Sequence, residues 1–388
     1  MTHDRVSEPD SDGGGGTGPG GGAQDTCYWV ELGARRYPVH VIEGDLVGLG
    51  TAMASVVDPG PALVVTNPVV ARHYLAPTLE SLRAAGFAPE AVLVPDGEAH
   101  KTIATWTRLC ESLLARRPTR HTPIVALGGG VTGDLAGFAA ASLLRGLPFV
   151  QVPTSLLAMV DSSVGGKTGV NAAGGKNLLG AFHQPVLVYS ALATLATLPA
   201  AEIRSGLGEA VKHGVLGDVA LLEFVERNAD AVGRGDPAAM ARLVMDSVRI
   251  KADIVAKDER EAGLRVLLNL GHTVGHAMES ALGHGALRHG ECVALGLVAE
   301  ARWAAASQGG EDGLGDRLEA LFSRIGLPVR VPPLSLQLAI DAARGDKKLG
   351  RGTLRLGIPV KAGVAVPASV SAGELPHMLR LVPGIMEN

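Results

Sequence analysis

From Tyr28 to about Pro199, short apolar runs rich in β-formers alternate with amphipathic segments, and beyond Pro199 long stretches of helical period take over. The runs fall at 37–42, 62–66, 91–94, 123–127, 149–152 and 186–189. Strands separated by helix-length segments are joined by crossovers, which predicts a mainly parallel sheet with helices on its faces. Residues 28–32 and 37–42, separated by Gly-Ala-Arg-Arg, read as a hairpin added at the start. The later segments 202–216, 240–255, 264–282, 291–306 and 314–325 predict an all-α second half. A chain of 388 residues exceeds the roughly 250–300 at which one core stops growing. The expected organisation is an α/β domain over 27–198 and a helical domain over 199–388, hinged near 185–199, with a disordered Gly-rich tail over 1–26.

Composition removes several function classes. A net charge of -4 argues against a nucleic-acid surface, which needs a basic excess. The most apolar region, 135–160, is interrupted by Arg145, Pro148 and Pro153, so no run reaches the ~18 uncharged residues of a spanning helix. Cys27, Cys110 and Cys292 are odd in number and scattered, so they form neither a disulfide framework nor a metal knuckle, and a reducing cytoplasm is expected. The tail lacks the apolar core of a signal peptide.

Within 264–278, Arg265, Asn269, His272 and His276 recur at spacings of four, three and four. On one continuous helix they span an arc of roughly 60°. A cation, an amide and two imidazoles in an apolar segment need partners, since an unsatisfied buried polar group costs about 1–3 kcal/mol. A metal and an anionic ligand would supply them, whereas an ordinary solvated face carries Lys and Glu. His272 with a second histidine and a carboxylate would make an open catalytic zinc set. His276, His284 and His289 compete for the second position, and Glu209 is the carboxylate candidate. Glu209 lies three residues before Lys212, a spacing that also suits a plain surface ion pair.

Two further clusters are glycine-rich. Gly128, Gly129 and Gly130 follow a strand and precede a helix containing Asp134, an arrangement that lets backbone amides approach a phosphate. Glu98, in Pro-Asp-Gly-Glu-Ala-His-Lys101, lies past another strand, at the edge where open α/β sheets bind nucleotides. Residues 161–177 set Lys167, Lys176 and Asn177 among glycines and read as a mobile loop suited to a phosphorylated substrate. Arg145 and the turn Asp346-Lys347-Lys348 offer more cations. Each cluster alone is also compatible with an ordinary turn or solvated loop.

Taken in order, these segments resemble 3-dehydroquinate synthases. The matching stretches are Pro-Asp-Gly-Glu-Ala-His-Lys101, Gly128-Gly-Gly-Val-Thr-Gly-Asp134, the run from Pro153 through Asp161 to Lys167, Gly175-Lys-Asn-Leu-Leu-Gly, Ser205-Gly-Leu-Gly-Glu-Ala-Val-Lys212, 264–276 and His289-Gly-Glu. The resemblance implies a Rossmann-like domain joined to a helical one. It implies a lyase of the shikimate route to chorismate and the aromatic amino acids, with NAD and a divalent zinc or cobalt ion as cofactors and a homodimeric assembly. The substrate it implies is a phosphorylated sugar acid, 3-deoxy-D-arabino-heptulosonate 7-phosphate.

By the same resemblance, Glu209, His272 and His289 bind the metal. Glu98, Lys101, Gly128, Gly129, Gly130, Asp134, Thr154, Ser155, Asp161, Lys176 and Thr197 line NAD. Arg145, Lys167, Asn177, Asn269, His276, Lys347 and Lys348 meet the phosphate, with Arg145 supplied by a neighbouring subunit. Asp161, Lys212, Lys251 and Arg265 take hydroxyls and carboxylate, and Glu261 and His276 move protons. His213 stands where a Tyr is common in the family, and Ser155 where a second Thr is. Aminodehydroquinate synthases and other sugar phosphate cyclases share this scaffold, and metal-dependent polyol dehydrogenases share the fold.

Overall fold

The computed structural model describes residues 25–173, 175–283, 285–344 and 352–387. Its first strands are β1 (Asp25–Val30), β2 (Tyr37–Ile42), β3 (Pro61–Thr66), β4 (Ala88–Leu93), β5 (Ile124–Gly128), β6 (Phe149–Pro153), β7 (Lys167–Ala172), β8 (Gly175–Phe182) and β9 (Leu187–Ala191). The helices among them are α1 (Leu49–Ala54), α2 (Pro68–Ala84), α3 (Ile103–Leu114) and α4 (Gly130–Ser142). Seven strands make one sheet in the order β1-β2-β9-β6-β5-β3-β4. Every neighbouring pair in it is parallel except β1 with β2, the hairpin expected at the start.

The sheet is apolar on both faces, as crossover topology requires. Leu63, Val65, Ile124 and Ala126 pack with α3 and α4 through Leu109, Leu113, Leu135 and Ala139. Their neighbours Val64, Val125 and Leu127 point the other way, against Leu49 and Met53 of α1 and Leu82 of α2. Helix starts follow local chemistry. The Asn67 side chain accepts from the Val69 and Val70 amides at 3.0 and 2.9 Å, with Pro68 at the first helical position.

The second half holds α5 (Ala200–Gly217), α6 (Val219–Arg227), α7 (Ala229–Gly233), α8 (Pro237–Lys257), α9 (His272–Leu282), α10 (His289–Ser307), α11 (Leu314–Arg324), α12 (Leu336–Arg344) and α13 (Leu375–Arg380). It is not all-α. Strands β11 (Thr353–Lys361) and β12 (Val364–Ser371) form an antiparallel hairpin, and the short β10 (Leu334–Ser335) and β13 (Ile385–Met386) pair in parallel. Apolar packing is continuous across Pro199: Val30, Tyr37, Val39 and Val41 of the first hairpin share a core with Val211 of α5 and Val244 and Val248 of α8.

Three local expectations are corrected. The stretch 264–282 is not one helix: Leu264–Asn269 is a 3-10 turn, Gly271 adopts φ +77°, and α9 begins only at His272. That left-handed backbone suits glycine and breaks the helical register between Asn269 and His272. The glycine-rich stretch 167–182 is a paired hairpin, β7 with β8, rather than a loop. Asp25 and Thr26 pair with Ile42 and Val41, so the last two positions assigned to the tail are strand. Residues 1–24 lie outside the described residues.

One backbone contact sets where the helices of the second half meet. A Cβ on Gly208 of α5 would lie 2.2 Å from the Gly290 carbonyl oxygen, and one on Gly290 of α10 would lie 1.8 Å from that of Ser205. Any larger residue must push the helices apart. The Gly290→Ala variant is expected to lose at least about 1–3 kcal/mol of stability through overpacking, read as a lower urea midpoint. An unchanged midpoint would mean that this crossing tolerates separation.

Candidate active site

Gly208 and Gly290 are the chain neighbours of Glu209 and His289, so their contact brings these two side chains together from α5 and α10. Glu209 is fully buried. Its Oε1 lies 3.2 Å from His289 Nε2 and 3.4 Å from His272 Nε2, while Oε2 meets Lys212 Nζ at 2.5 Å. Burial works against ionisation of Glu209, but Lys212 and the two imidazoles outweigh it and hold the carboxyl well below its ordinary range. These three donors are near enough for one cation to sit among them after small side-chain movements, and one carboxylate with two imidazoles suits zinc or cobalt.

His276 adjoins the group, its ring 5.2 Å from that of His272 and 5.6 Å from that of His289. His272, His276 and His289 can also bring one nitrogen each within 4.8 Å of the others, a rival three-imidazole set. Burial keeps His272 neutral, as a ligand must be. His289 is pushed up to about 9 because Glu209 and Glu279 outweigh its burial, so a metal at its Nε2 would displace a proton.

Beside the metal cluster lies a second group. The carboxylate of Asp161, on a single π-helical turn after β6, meets Lys251 Nζ at 2.7 Å and Lys212 Nζ at 3.8 Å. Lys251 also donates to the Asp161 carbonyl at 2.6 Å, and Lys212 to the Leu268 carbonyl at 2.9 Å. Burial opposes the charge on Asp161, yet the two lysines hold its carboxyl well below the usual range. Burial lowers Lys251, and Asp161 only partly offsets it, leaving the amine pushed down to about 8. Arg265, 1% exposed, donates to the Gly165 carbonyl at 2.8 Å and to the Glu259 carbonyl. Lys167 Nζ meets Glu261 Oε2 at 2.9 Å, and Asn269 donates to Glu261 Oε1 at 3.1 Å. Glu261 sits at φ +62°, a strained position for a non-glycine, so the loop holds this carboxylate at a conformational cost.

At the carboxyl edge of the sheet, Gly129 caps α4 without any side-chain bond, leaving the first-turn amides of a helix directed at the edge. A Cβ on Gly129 would come 3.2 Å from Ser155 Oγ, and one on Gly130 3.1 Å from Ser162 Oγ, so a side chain at either position would crowd a serine hydroxyl. The Thr154 amide donates to the Gly128 carbonyl at 3.0 Å. Lys101 pairs with Asp134 and donates to Asn177 Oδ1, while Asn171 of the β7–β8 hairpin donates to Glu98 at 2.7 Å. Burial raises the carboxyl of Asp134, with Lys101 opposing.

Not every expected residue joins these clusters. Arg145 is exposed just beyond the end of α4, separated from Gly130 by the whole 13-residue helix, about 20 Å. Thr197 is exposed and bonds to the Tyr74 hydroxyl at 2.6 Å. Lys347, Lys348 and His284 lie outside the described residues. Because the helix breaks at Gly271, Arg265 and Asn269 reach the site from a 3-10 turn, not from the face that carries His272.

Glu279 was not anticipated. It meets Lys176 Nζ at 2.6 Å and His289 Nδ1 at 3.5 Å, tying β8 to an imidazole of the metal cluster. Its spacing was legible, since 272, 276 and 279 share one helical face. His213, buried near Asp161 at 3.8 Å, is pushed down to about 3 by burial and by Lys212.

Comparison with known proteins places this geometry in a class. The 2-deoxy-scyllo-inosose synthase structure complexed with carbaglucose-6-phosphate, NAD+ and Co2+ superposes with a TM-score of 0.82 at 24% identity, covering 92% of this chain and 99% of that one, which shows a shared fold. The 2-epi-5-epi-valiolone synthase of Streptomyces hygroscopicus subsp. jinggangensis 5008, with NAD+ and Zn2+ bound, superposes at 0.80 with 28% identity, over 89% of this chain and 96% of that one. Closer in sequence is a 3-dehydroquinate synthase of Symbiobacterium thermophilum, 47% identical over 87% of this chain and 95% of its own length. The 3-dehydroquinate synthase N-terminal model matches residues 91–205 and the C-terminal model residues 206–349. The chain belongs to the 3-dehydroquinate synthase family.

A pH dependence follows from Lys251. Its amine is a cation below about 8 and loses the charge above it. kcat/KM for an anionic substrate, which reports the free enzyme, is expected to fall as pH rises through about 8. Lys251→Arg, charged throughout, should lower the rate but remove that limb; a limb that persists in the variant would assign it to another group.

Proposed function

We propose that this enzyme converts 3-deoxy-D-arabino-heptulosonate 7-phosphate into 3-dehydroquinate and inorganic phosphate. The observation that carries the reading is the 47% identity to a 3-dehydroquinate synthase across nearly the whole of both chains. The chemistry of the cluster supports it: a carboxylate with two imidazoles stands beside two buried lysines, a buried arginine and the half-buried Asp161, which suits a polyhydroxylated, doubly anionic substrate.

Glu209, His272 and His289 would hold the divalent ion, and the bare Gly129–Gly130 backbone with the uncapped start of α4 would face the phosphates of NAD. When bound, NAD supplies a hydride acceptor that is restored within each turnover, and zinc or cobalt supplies a Lewis acid that acidifies the hydroxyl being oxidised. The rest falls to the chain's own side chains. Lys251 and Arg265 would grip the carboxylate, and Asp161 with Lys212 the hydroxyls. Lys167, Asn177, Asn269 and His276 would hold the phosphate, whose charge grows as it leaves, so their contacts strengthen towards the transition state. Glu261, with its two oxygens already on Lys167 and Asn269, and His276 would exchange the protons of elimination and ring closure.

Residues 27–198 would then be the NAD-binding domain, and 199–388 the metal- and substrate-binding domain. A homodimer fits the outward position of Arg145, which a second subunit's site could receive. A cytoplasmic enzyme fits the odd, scattered cysteines. Among the described residues no helix is long and apolar enough to cross a membrane.

Purified enzyme given NAD, zinc or cobalt, and the heptulosonate phosphate is expected to release phosphate without accumulating NADH; NADH formed in proportion to phosphate would overturn the cyclase reading. Offering the amino analogue and sedoheptulose 7-phosphate in parallel distinguishes the related cyclases. His272→Ala is expected to lose bound metal together with activity, measured by metal analysis after dialysis. A fully metallated, active variant would remove His272 from the ligand set.

A further inference from the structure

Helix α9 begins at His272 without a cap of its own. The preceding residue is Gly271, and no Ser, Asp or Asn fits there: φ is +77°, and a Cβ would lie 2.7 Å from the Val293 carbonyl oxygen. The first amides of a helix have no partner inside it, and a buried helix start needs acceptors from elsewhere. Glu300, three turns along α10 from His289 and 3% exposed, provides them. The Gly271 amide donates to Glu300 Oε2 at 2.6 Å, and the Thr273 and Val274 amides lie near the same carboxyl, whose Oε1 is buried without a hydrogen-bond partner.

We propose that Glu300 is a positioning residue for the metal centre: a carboxylate from the neighbouring helix that takes the place of the missing N-cap and fixes the direction in which α9 presents His272. The proposal rests on the metal-binding reading given above. Three features bear on it. Burial pushes the Glu300 carboxyl up to about 8 although the neighbouring amides oppose it, and an apolar side chain would fill the same volume without burying a polar group, so filling space does not account for it. The same helix, α10, also packs against the start of α9 one turn before Glu300, since a Cβ on Gly296 would lie 2.1 Å from the Gly271 carbonyl oxygen. His272 is the first residue of the helix, so its ring follows the backbone of the first turn directly, whereas His276 sits a full turn further in. Loosening the cap therefore moves one ligand of the cluster relative to Glu209 and His289, which α5 and α10 hold independently.

The test uses full-length protein loaded with Co(II), with the metal dissociation constant measured by chelator competition, the visible cobalt spectrum, and kcat and KM. Glu300→Leu keeps volume and removes the acceptors; it is expected to weaken cobalt binding by about 10–100-fold, alter the spectrum, and lower kcat more than it raises KM. Glu300→Gln retains an acceptor oxygen and should stay within about threefold of the parent. Leu318→Ala, a buried position on α11 outside the metal-ligand cluster, controls for destabilisation: it should lower Tm while leaving metal affinity and spectrum unchanged. If Glu300→Leu does not fold, Glu300→Asp withdraws the carboxylate by one methylene and carries the same expectation at smaller size. Parent-like affinity and spectrum in the Leu or Asp variant, or an equal loss of affinity in Leu318→Ala, would overturn the positioning role. Failure of the parent chain to bind cobalt would instead overturn the metal reading on which it rests.

Discussion

A carboxylate with no exposure to water must be neutralised by what surrounds it, and Glu209 is met by Lys212 on one oxygen and by two imidazoles on the other. The rest of the structure is arranged to allow that meeting. Gly208 and Gly290 let α5 and α10 touch at backbone distance, Gly271 turns the chain so that α9 can start at His272, and Glu300 holds the first turn of that helix. Lys212 then faces two ways, bonding Glu209 and lying 3.8 Å from Asp161, so the cluster around Glu209 and the cluster around Asp161 share one cation. Neither group is understandable alone, since Lys212 holds both Glu209 and Asp161 ionised.

The two halves are joined through this centre as much as around it. Lys176 on β8 reaches Glu279 of α9, which meets His289, so the edge that would face a nucleotide is tied to the imidazole cluster by a chain of charged contacts. At the other side, Arg35 from the turn between β1 and β2 makes a bidentate pair with Glu259, both contacts at 2.6 Å, at the head of the loop that carries Glu261 and Arg265. That loop is shaped by Asp258, which accepts from the amides of Ala262, Gly263 and Arg265. Its strained Glu261 is thus supported from both sides.

Much of this was legible in the sequence because period and spacing are local properties. The short apolar runs became the parallel sheet at nearly the positions expected, since both faces of its central strands are buried and their composition carries the signal. The helical period of 264–282 misled, because one glycine needed for φ +77° interrupts it while the apolar spacing continues. The β11–β12 hairpin was missed because a proline falls inside each strand and β12 is largely exposed, which leaves little apolar alternation to read. Glu279 shared a visible face with His272 and His276. Glu300 left no trace, for its role depends on a neighbouring helix start that no spacing encodes. Arg145, grouped with the phosphate residues by resemblance, lies at the far end of α4 in this chain.

The central claim is that Glu209, His272 and His289 together form one metal site, with His276 outside the ligand set. A crystal soaked with cobalt or zinc and measured at the metal's absorption edge tests it directly. The account predicts one anomalous peak about 2.0–2.2 Å from an oxygen of Glu209 and from Nε2 of both His272 and His289. A peak bonded to His272, His276 and His289 with Glu209 turned away would contradict it.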